Sequence, residues 1–327
     1  QAEDGIRDHC VTGVQTCALP ILSKSNFRLD NLKVMLKGTD INHVYVNTLR
    51  RVILEEIPSY GINPDLINIS KNSSVYNNDY IRNRLENFPL INLNFKLDLE
   101  EYNKLRTYTR GIEKINNEYE DNNINMYLDV KNNEDNILNV TTDDLKFYIN
   151  EKSEKSIYKN PMLICKLKKR EEIVLSFKVD KGVGLNHSRY SVAHVYYEQL
   201  GDNNFLLTIE PRGQLSIKEI LFRAFEIIKY KLNLINDKFI KEGINESSGI
   251  IVLKNEDHTL GNLLTYRLQE NSDISFAGYE LEHLLIKDVR IRYSVKGKKS
   301  INDILKSEIK YLINYYENMG NKFLNIK

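Results

Sequence analysis

Glu256, Asp257 and His258 place two carboxylates and an imidazole in consecutive positions. These are ligand types of a catalytic divalent cation, and an enzyme reading makes the three of them the metal centre of a nuclease. The competing reading is structural. Asp257 and Thr259 can accept hydrogen bonds from the free N–H groups of a helix start, acidic residues there complement the helix dipole, and Leu260, Leu263, Leu264 and Leu268 follow at helical spacing. Capping is the preferred reading. A second candidate is the stretch holding Gly182, Gly184 and His187. A phosphate loop would end in Lys-Ser/Thr and lead into a helix, which this one does not, and a lone His without a nearby Cys or second His reads as a packing or hydrogen-bonding residue. Arg50 and Arg51 on a helix, and Arg290 and Arg292 on a strand, read in isolation as solvated faces.

These residues need a scaffold, and its elements are legible as apolar periodicity. Leu32, Val34 and Leu36 alternate as a strand within Phe27–Leu36. Val46, Leu49, Val52, Ile53 and Ile57 share one helical face, and Pro58 stops that helix. Ile91, Leu93, Phe95, Leu97 and Leu99 alternate as a further strand, as do Ile173 to Val179. A polar, Asn- and Asp-rich region from about Glu100 to Lys159 reads as a surface elaboration with some strands, Met126–Val130 among them. Phe205–Glu210 predicts a short strand and Ser216–Ile235 a long helix with a broad apolar stripe, which another helix must cover. Lys238–Ser248 reads as a linker, Gly249–Leu253 as a strand, Gly278 as the centre of a Gly-Tyr turn, Val289–Val295 as a strand and Ser300–Met319 as the last helix.

In 327 residues there is room for about two or three domains. The 46 basic and 45 acidic residues nearly cancel, so the chain lacks the basic excess of a stand-alone nucleic-acid binder. No apolar run reaches the roughly 20 residues that span a bilayer. Val11–Ile21, VTGVQTCALPI, reads as the translation of a short-read sequencing adapter, and Gln1–Ile21 is set aside as an artefact. That segment holds Cys10 and Cys17. Cys165 alone remains, too few for a disulfide framework or a four-cysteine zinc site.

Three stretches carry a family resemblance. EDHTLGN at 256–262 and FAGYELEH at 276–283 resemble the small alpha-like subunit of cellular RNA polymerases, the partner of the third-largest eukaryotic subunit. NTLRRVILEEIPSYGI at 47–62 resembles the first helix of that third-largest subunit and of bacterial alpha, and Ser74–Leu90 resembles a further segment of it. The resemblance implies a subunit interface at Asn47, Leu49, Arg50 and Arg51, with the arginines binding the second-largest subunit. It extends the interface to Glu256, Asp257, His258, Thr259, Leu260, Gly261, Asn262 and Leu264. Lys181, Gly182 and His187 are implied to pack at the junction with the second-largest subunit and small accessory subunits. The zinc loop or iron–sulfur cysteines of some relatives have no counterpart, as there is no Cys between Glu100 and Lys159, so no metal and no cofactor is expected. The Asp-x-Asp-Gly-Asp motif that binds catalytic magnesium in such polymerases is missing from the sequence, so no catalysis is expected of this chain.

An internal duplication supports this. His43, Asn47 and Leu49 match His258, Asn262 and Leu264, 215 positions apart, and Ser216, Ile217, Ile220 and Leu221 match Ser300, Ile301, Ile304 and Leu305, 84 positions apart. The first copy therefore holds an insertion between its two helices. The expected fold is α+β: two alpha-like dimerisation units forming an intrachain pseudo-dimer with a four-helix interface, plus a mostly β insert domain. The expected bounds are 22–62 with 200–240 for the first unit, 63–199 for the insert and 241–327 for the second unit. The expected function is a non-catalytic assembly subunit of DNA-directed RNA polymerase. It would bridge the two largest subunits and meet small accessory subunits, with no direct sequence-specific DNA contact and no membrane. It would work inside the cell, in a host's cytoplasm or nucleus or in a virion, as the fused form found in large DNA viruses. The rivals are an interaction scaffold unrelated to transcription, the metal-dependent nuclease, and a bacterial-type homodimer.

Overall fold

The computed structural model describes residues 9–11, 14–17, 31–91, 93, 96–107, 120–150, 152–154, 157–158, 160–238, 240–245, 247–283, 288–297 and 299–324. The chain begins with strands β1 (His9–Val11), β2 (Val14–Cys17) and β3 (Leu32–Lys37), then helix α1 (His43–Glu55). A long excursion follows: β4 (Pro58–Asn72), α2 (Asn78–Glu86), α3 (Leu99–Thr107), β5 (Glu120–Lys131), β6 (Leu138–Thr141), β7 (Lys146–Ile149), β8 (Lys152–Glu154), β9 (Leu163–Leu167) and β10 (Glu172–Val183). It returns through β11 (Ala193–Gly201) and β12 (Asn204–Pro211) into helix α4 (Ile217–Lys238). The remainder is β13 (Ile240–Asn245), β14 (Ser248–Lys254), α5 (His258–Glu270), β15 (Ile274–Leu281), β16 (Asp288–Val295) and α6 (Ile301–Leu324). The architecture is α+β. No helix among the described residues is long and apolar enough to cross a membrane.

One pattern of elements occurs twice. Strand, helix, strand, strand, helix reads β3, α1, β11, β12, α4 in one half and β14, α5, β15, β16, α6 in the other. The sheets agree as well: β2-β3-β12-β11 has the same antiparallel order as β13-β14-β16-β15, with the last strand of each set paired between the other two. The first helices are both 13 residues long, and the second helices 22 and 24. The halves differ where the chain leaves the first helix. Residues 271–273 connect α5 to β15, whereas residues 56–192 lie between α1 and β11 and build the five-stranded sheet β4-β10-β5-β7-β8 and the pair β6-β9.

Local chemistry sets each helix. The Asn42 side chain caps α1 by accepting the Tyr45 amide at 3.0 Å, and the Asp257 side chain caps α5 by accepting the Thr259 amide at 2.8 Å. Their apolar faces cover their own sheets and meet each other and the stripes of α4 and α6, so the four helices share one core. Leu49, Leu264, Ile228 and Leu312 are fully enclosed in it. A second core fills the insert, where Ile62, Met126, Phe147 and Phe177 face Ile81 and Leu85 of α2.

Several expectations need correction. Ile91, Leu93 and residues 96–98 enter no strand, and Leu99 opens a helix because the Asp98 carboxylate accepts the amides of Glu100 and Glu101 at 2.8 and 3.2 Å. Phe95 lies outside the described residues, as do Leu284 and Leu285 at the end of the family-like stretch. The anticipated linker contains β13, which pairs with β14. Gly278 sits inside β15 opposite Arg292, so no turn forms there. Strand β4 runs without interruption from Pro58 to Asn72. The hairpin of β1 and β2 pairs through β2 with the outer edge of β3, a backbone contact that any extended segment can make.

Replacing Leu264, wholly buried in the shared core, by Asp places a carboxylate among apolar side chains. Denaturant titration should show a loss of more than about 3 kcal/mol. An unchanged unfolding midpoint would remove Leu264 from the core.

Candidate functional site

The predicted site residues fall into two groups, one at the seam between the repeated halves and one where the insert joins. At the seam, Glu56 follows the last turn of α1, Lys231 comes from α4, Arg106 from the end of α3, and Glu256 stands just before α5. The Lys231 Nζ donates to Glu56 Oε1 and Oε2 at 2.7 and 3.0 Å and lies 3.0 Å from Glu256 Oε2. Arg106 grips Glu256 with both terminal nitrogens, at 3.1 and 2.7 Å, and its Nε lies 3.6 Å from Glu56. Tyr102, one turn before Arg106, donates its hydroxyl to Glu56. All five side chains are buried. Two carboxylates and two cations cancel, the condition under which such charges tolerate a low dielectric.

Burial acts on these acids unequally. It pushes Glu56 up, but Lys231 and Arg106 outweigh it, helped by donated hydrogen bonds from Lys231 and Tyr102, and Glu56 lies below the usual glutamate value. At Glu256 burial prevails over the same two cations, and its carboxyl is raised. Burial also pushes Asp257 up. There the Lys231 charge, the hydrogen bonds from Thr259 and the Arg51 charge prevail, and Asp257 lies below the usual aspartate value.

The Glu256-Asp257-His258 triplet does not converge. Glu256 turns inward to Arg106 and Lys231. Asp257 caps α5 and meets Arg51 at 3.0 Å. His258 is exposed, with its Nδ1 3.4 Å from the Tyr279 hydroxyl. Both carboxylates are neutralised by protein cations, and the imidazole faces away from them, so the arrangement is that of a cap and an ion cluster. Thr259, Leu260 and Leu264 are buried beyond it, and Asn262 is half-buried. Gly261 is where α5 meets its sheet: a Cβ there would lie 2.8 Å from Val289 and 2.9 Å from the Tyr279 ring. Among the described residues, no group of three or more His, Cys, Asp or Glu is arranged to hold a metal ion.

The adjacent arginines divide. Arg51 is spent inside the chain, bonding Glu55 and Asp257 at 3.0 Å each. Arg50 is half-buried, and its Nε donates to Asn47 Oδ1 at 3.0 Å. Leu49, which precedes them in the sequence, is buried in the core.

In the second group, Lys181 and Gly182 lie on β10, and His187 follows it. Lys181 pairs with Glu101 of α3 at 3.1 Å. His187 Nδ1 accepts the Arg189 amide at 3.1 Å, and its Nε2 lies 3.2 Å from Glu86, which Arg189 also meets at 2.9 Å. Gly182 has a steric reason. The Tyr190 ring lies over Gly182 and Gly61 on adjacent strands, where added Cβ atoms would come within 2.5 and 2.6 Å of it. Tyr190 then donates its hydroxyl to Asp180 at 2.8 Å. Burial of Asp180 raises its pKa to about 6, against the lowering influence of Tyr190, Arg189 and Asn63. The turn after β10 is tied to the end of α1, as the Leu185 amide donates to the Glu55 carbonyl at 2.7 Å. Sequence reasoning missed Glu56, Tyr102, Arg106, Lys231, Asp180 and Tyr190. Apart from Asp180 and Tyr190, which lie 10 positions apart, these depend on partners that no local spacing announces.

Comparison with known proteins gives family matches to the second unit and to the insert. The RNA polymerase Rpb3/Rpb11 dimerisation domain matches residues 248–322, and the RNA polymerase Rpb3/RpoA insert domain matches residues 81–195. A protein of Acanthamoeba polyphaga mimivirus described as a DNA-directed RNA polymerase subunit is 28% identical over 88% of this chain and 89% of its own length. In Dictyostelium discoideum two separate proteins are similar. The RNA polymerase II subunit rpb11 is 32% identical over 25% of this chain and 67% of its own length. The subunit rpb3 is 28% identical over 53% of this chain, which spans 55% of that protein.

Two substitutions test the junction. Gly182→Ala forces the Tyr190 ring off its seat and should cost about 1–3 kcal/mol by denaturant unfolding, as overpacking does; no change would mean the ring has room to move. Because folded Asp180 holds its proton up to about pH 6 whereas an unfolded aspartate releases it near 3.8, stability falls as pH rises through that window. Asp180→Asn should therefore flatten the decline between pH 4 and 6 and stabilise the chain above it, by up to about 3 kcal/mol. Identical pH–stability curves would show that the Asp180 carboxyl is solvated.

Proposed function

Because this chain belongs to the Rpb3/Rpb11 family of DNA-directed RNA polymerase subunits, whose members are non-catalytic assembly subunits, we propose that it bridges the two largest subunits of such an enzyme. It does so as two dimerisation units paired within one chain. The observation that carries this reading is the repeated strand–helix–strand–strand–helix set, whose four helices share one core, with an insert in the first copy alone. Cellular relatives such as those of Dictyostelium have two proteins where this chain has one. The discontinuous first unit supplies α1 and α4, the second unit supplies α5 and α6, and the insert rises from the first between them.

Fusion suits the physics of this interface. Neither pair of helices can cover its own apolar stripe, and a covalent link replaces a concentration-dependent encounter by an intramolecular one. Similarity to the mimivirus protein along 88% of the chain supports an origin in a large DNA virus, with action in the host cytoplasm or nucleus or in the virion. The half-buried Arg50, which bonds Asn47 on its own helix, is the arginine oriented for a carboxylate of the second-largest subunit, and Arg guanidinium suits such bidentate pairing. Lys181 and His187, beside the insert junction, form the second contact region, toward the second-largest subunit and small accessory subunits. DNA is contacted by other subunits, which accords with the near-balance of 46 basic and 45 acidic residues.

Co-expression with the two largest polymerase subunits tests the bridging role. The chain should co-elute with them and raise the yield of active enzyme, and separate elution would end the proposal. Arg50→Ala should weaken binding of the second-largest subunit by at least about tenfold while leaving the melting temperature of the isolated chain unchanged. Arg51→Ala should lower that melting temperature, since its partner is internal. The reverse pattern would exchange the roles of the two arginines.

A further inference from the structure

The two ends of the four-helix seam are equivalent in fold and unlike in chemistry. Positions on α1 and α5 correspond at a spacing of 215, and positions on α4 and α6 at a spacing of 84. At one end, Arg51 of α1 meets the cap residue of the opposite helix, Asp257, at 3.0 Å. Their counterparts are Tyr266 and Asn42, and these too lie together: the Asn42 side chain is near enough to oppose the burial that raises the Tyr266 pKa. One cross-unit contact is thus made twice, once between charges and once between neutral groups.

The same substitution runs through the rest of the cluster. Lys231 corresponds to Tyr315, Glu256 to Ile41 and Glu56 to Asn271. Lys231 binds Glu256 across the seam at 3.0 Å, whereas Tyr315 packs across it on the Tyr45 ring, with centroids 4.6 Å apart. The charged pair nearest the neutral end, Arg267 with Glu308 at 2.5 Å, lies wholly within the second unit. Among the described residues, the ion pairs that reach the second unit from the rest of the chain therefore sit at one end.

We infer that this charged end is a pairing key, which admits the first unit only against the second and rejects each unit against a copy of itself. Two second units would bury Glu256 and Asp257 opposite Tyr315 and Tyr266, at both ends, with Arg267 the nearest cation and that one already paired with Glu308. Two first units would set Lys231 and Arg51 opposite Ile41 and Asn42, and leave Glu56 as the one acid of the cluster for both Lys231 and Arg106. Buried charge without a partner is what a specific interface uses against wrong pairings, while the apolar stripes, similar in both units, do not discriminate. The specificity-determining residues are Lys231 and Arg51 on one side and Glu256 and Asp257 on the other. What is thereby excluded is the pairing of like units from two copies of this chain.

This rests on the reading that the two units pair within one chain, and is independent of what the chain assembles with. The test uses full-length chains alone: wild type, Lys231→Glu, Glu256→Lys, the double variant, and the two single variants co-expressed with different tags. Solution mass and melting temperature are measured. Each single variant should melt several degrees lower and self-associate. The double variant should return to a monomer with most of the lost melting temperature restored. The co-expressed singles should pair one to one, since exchange then gives one native and one reversed cluster. Singles that stay monomeric with wild-type melting, or a double variant that does not recover, would overturn the key. If the reversals prevent folding, Lys231→Met, Glu256→Gln and their combination decide: strict additivity of their melting losses overturns the key, and a combined loss no larger than the greater single loss supports it. A wild-type chain that is not a monomer would instead overturn the single-chain pairing beneath the inference.

Discussion

Glu256 lies wholly inside the protein because Lys231 and Arg106 are already there, and each of those cations is tolerable only because Glu56 and Glu256 face it. Removing four charges from water costs several kcal/mol apiece, and that cost is offset only when all four arrive together. The requirement reaches across the chain, since Glu56 and Lys231 are 175 positions apart and Arg106 and Glu256 are 150 apart. Four elements must therefore settle in one arrangement: the end of α1, α3, α4 and the entry to α5. An apolar plug of equal volume would hold them together as well. The ionic version adds intolerance of any other arrangement.

The insert shares this dependence through α3. That helix leaves the insert, places Tyr102 and Arg106 in the cluster, and sends Glu101 back to Lys181 on β10. On the other side β4 continues directly from the end of α1, and the turn after β10 bonds the last carbonyls of α1. The Tyr190 ring, seated on two glycines and bonded to Asp180, closes the same junction. Together these ties hold the insert to the seam. The bridging role proposed above would call for such a joint, because a hinge there would let the two proposed contact regions drift.

Legibility in the sequence followed the range of the interactions. The four seam helices were readable because each carries its own apolar stripe and a local cap, as at Asp257 and Thr259. The duplication was readable because it preserves residue types at fixed spacing. Alternation misled at 91–99, where period-two apolar residues lead into the Asp98 cap of a helix. Polar composition misled at 238–248, where β13 gains its place by pairing with β14. The ion cluster left no local trace. Glu56 and Lys231 look like surface charges on amphipathic helices, and only the fold brings them together. Arg50 and Arg51 look alike as neighbours, yet the roughly 100° between successive residues of a helix turns one to Asp257 and the other away.

A duplicated unit carries a hazard that fusion alone does not remove. Linking the copies raises the local concentration of the right partner, but at high protein concentration, or during synthesis, a neighbouring chain offers the same apolar stripes. Two units that remained alike would pair in any combination. Divergence at one end of the seam changes this, because a mismatch leaves buried charge unpaired and a match pairs it. The end that stayed neutral loses nothing by it, since tyrosines at 45, 266, 315 and 316 fill the corresponding space by ring packing. Apolar packing supplies the strength of the seam, and the charges decide which surfaces may use it.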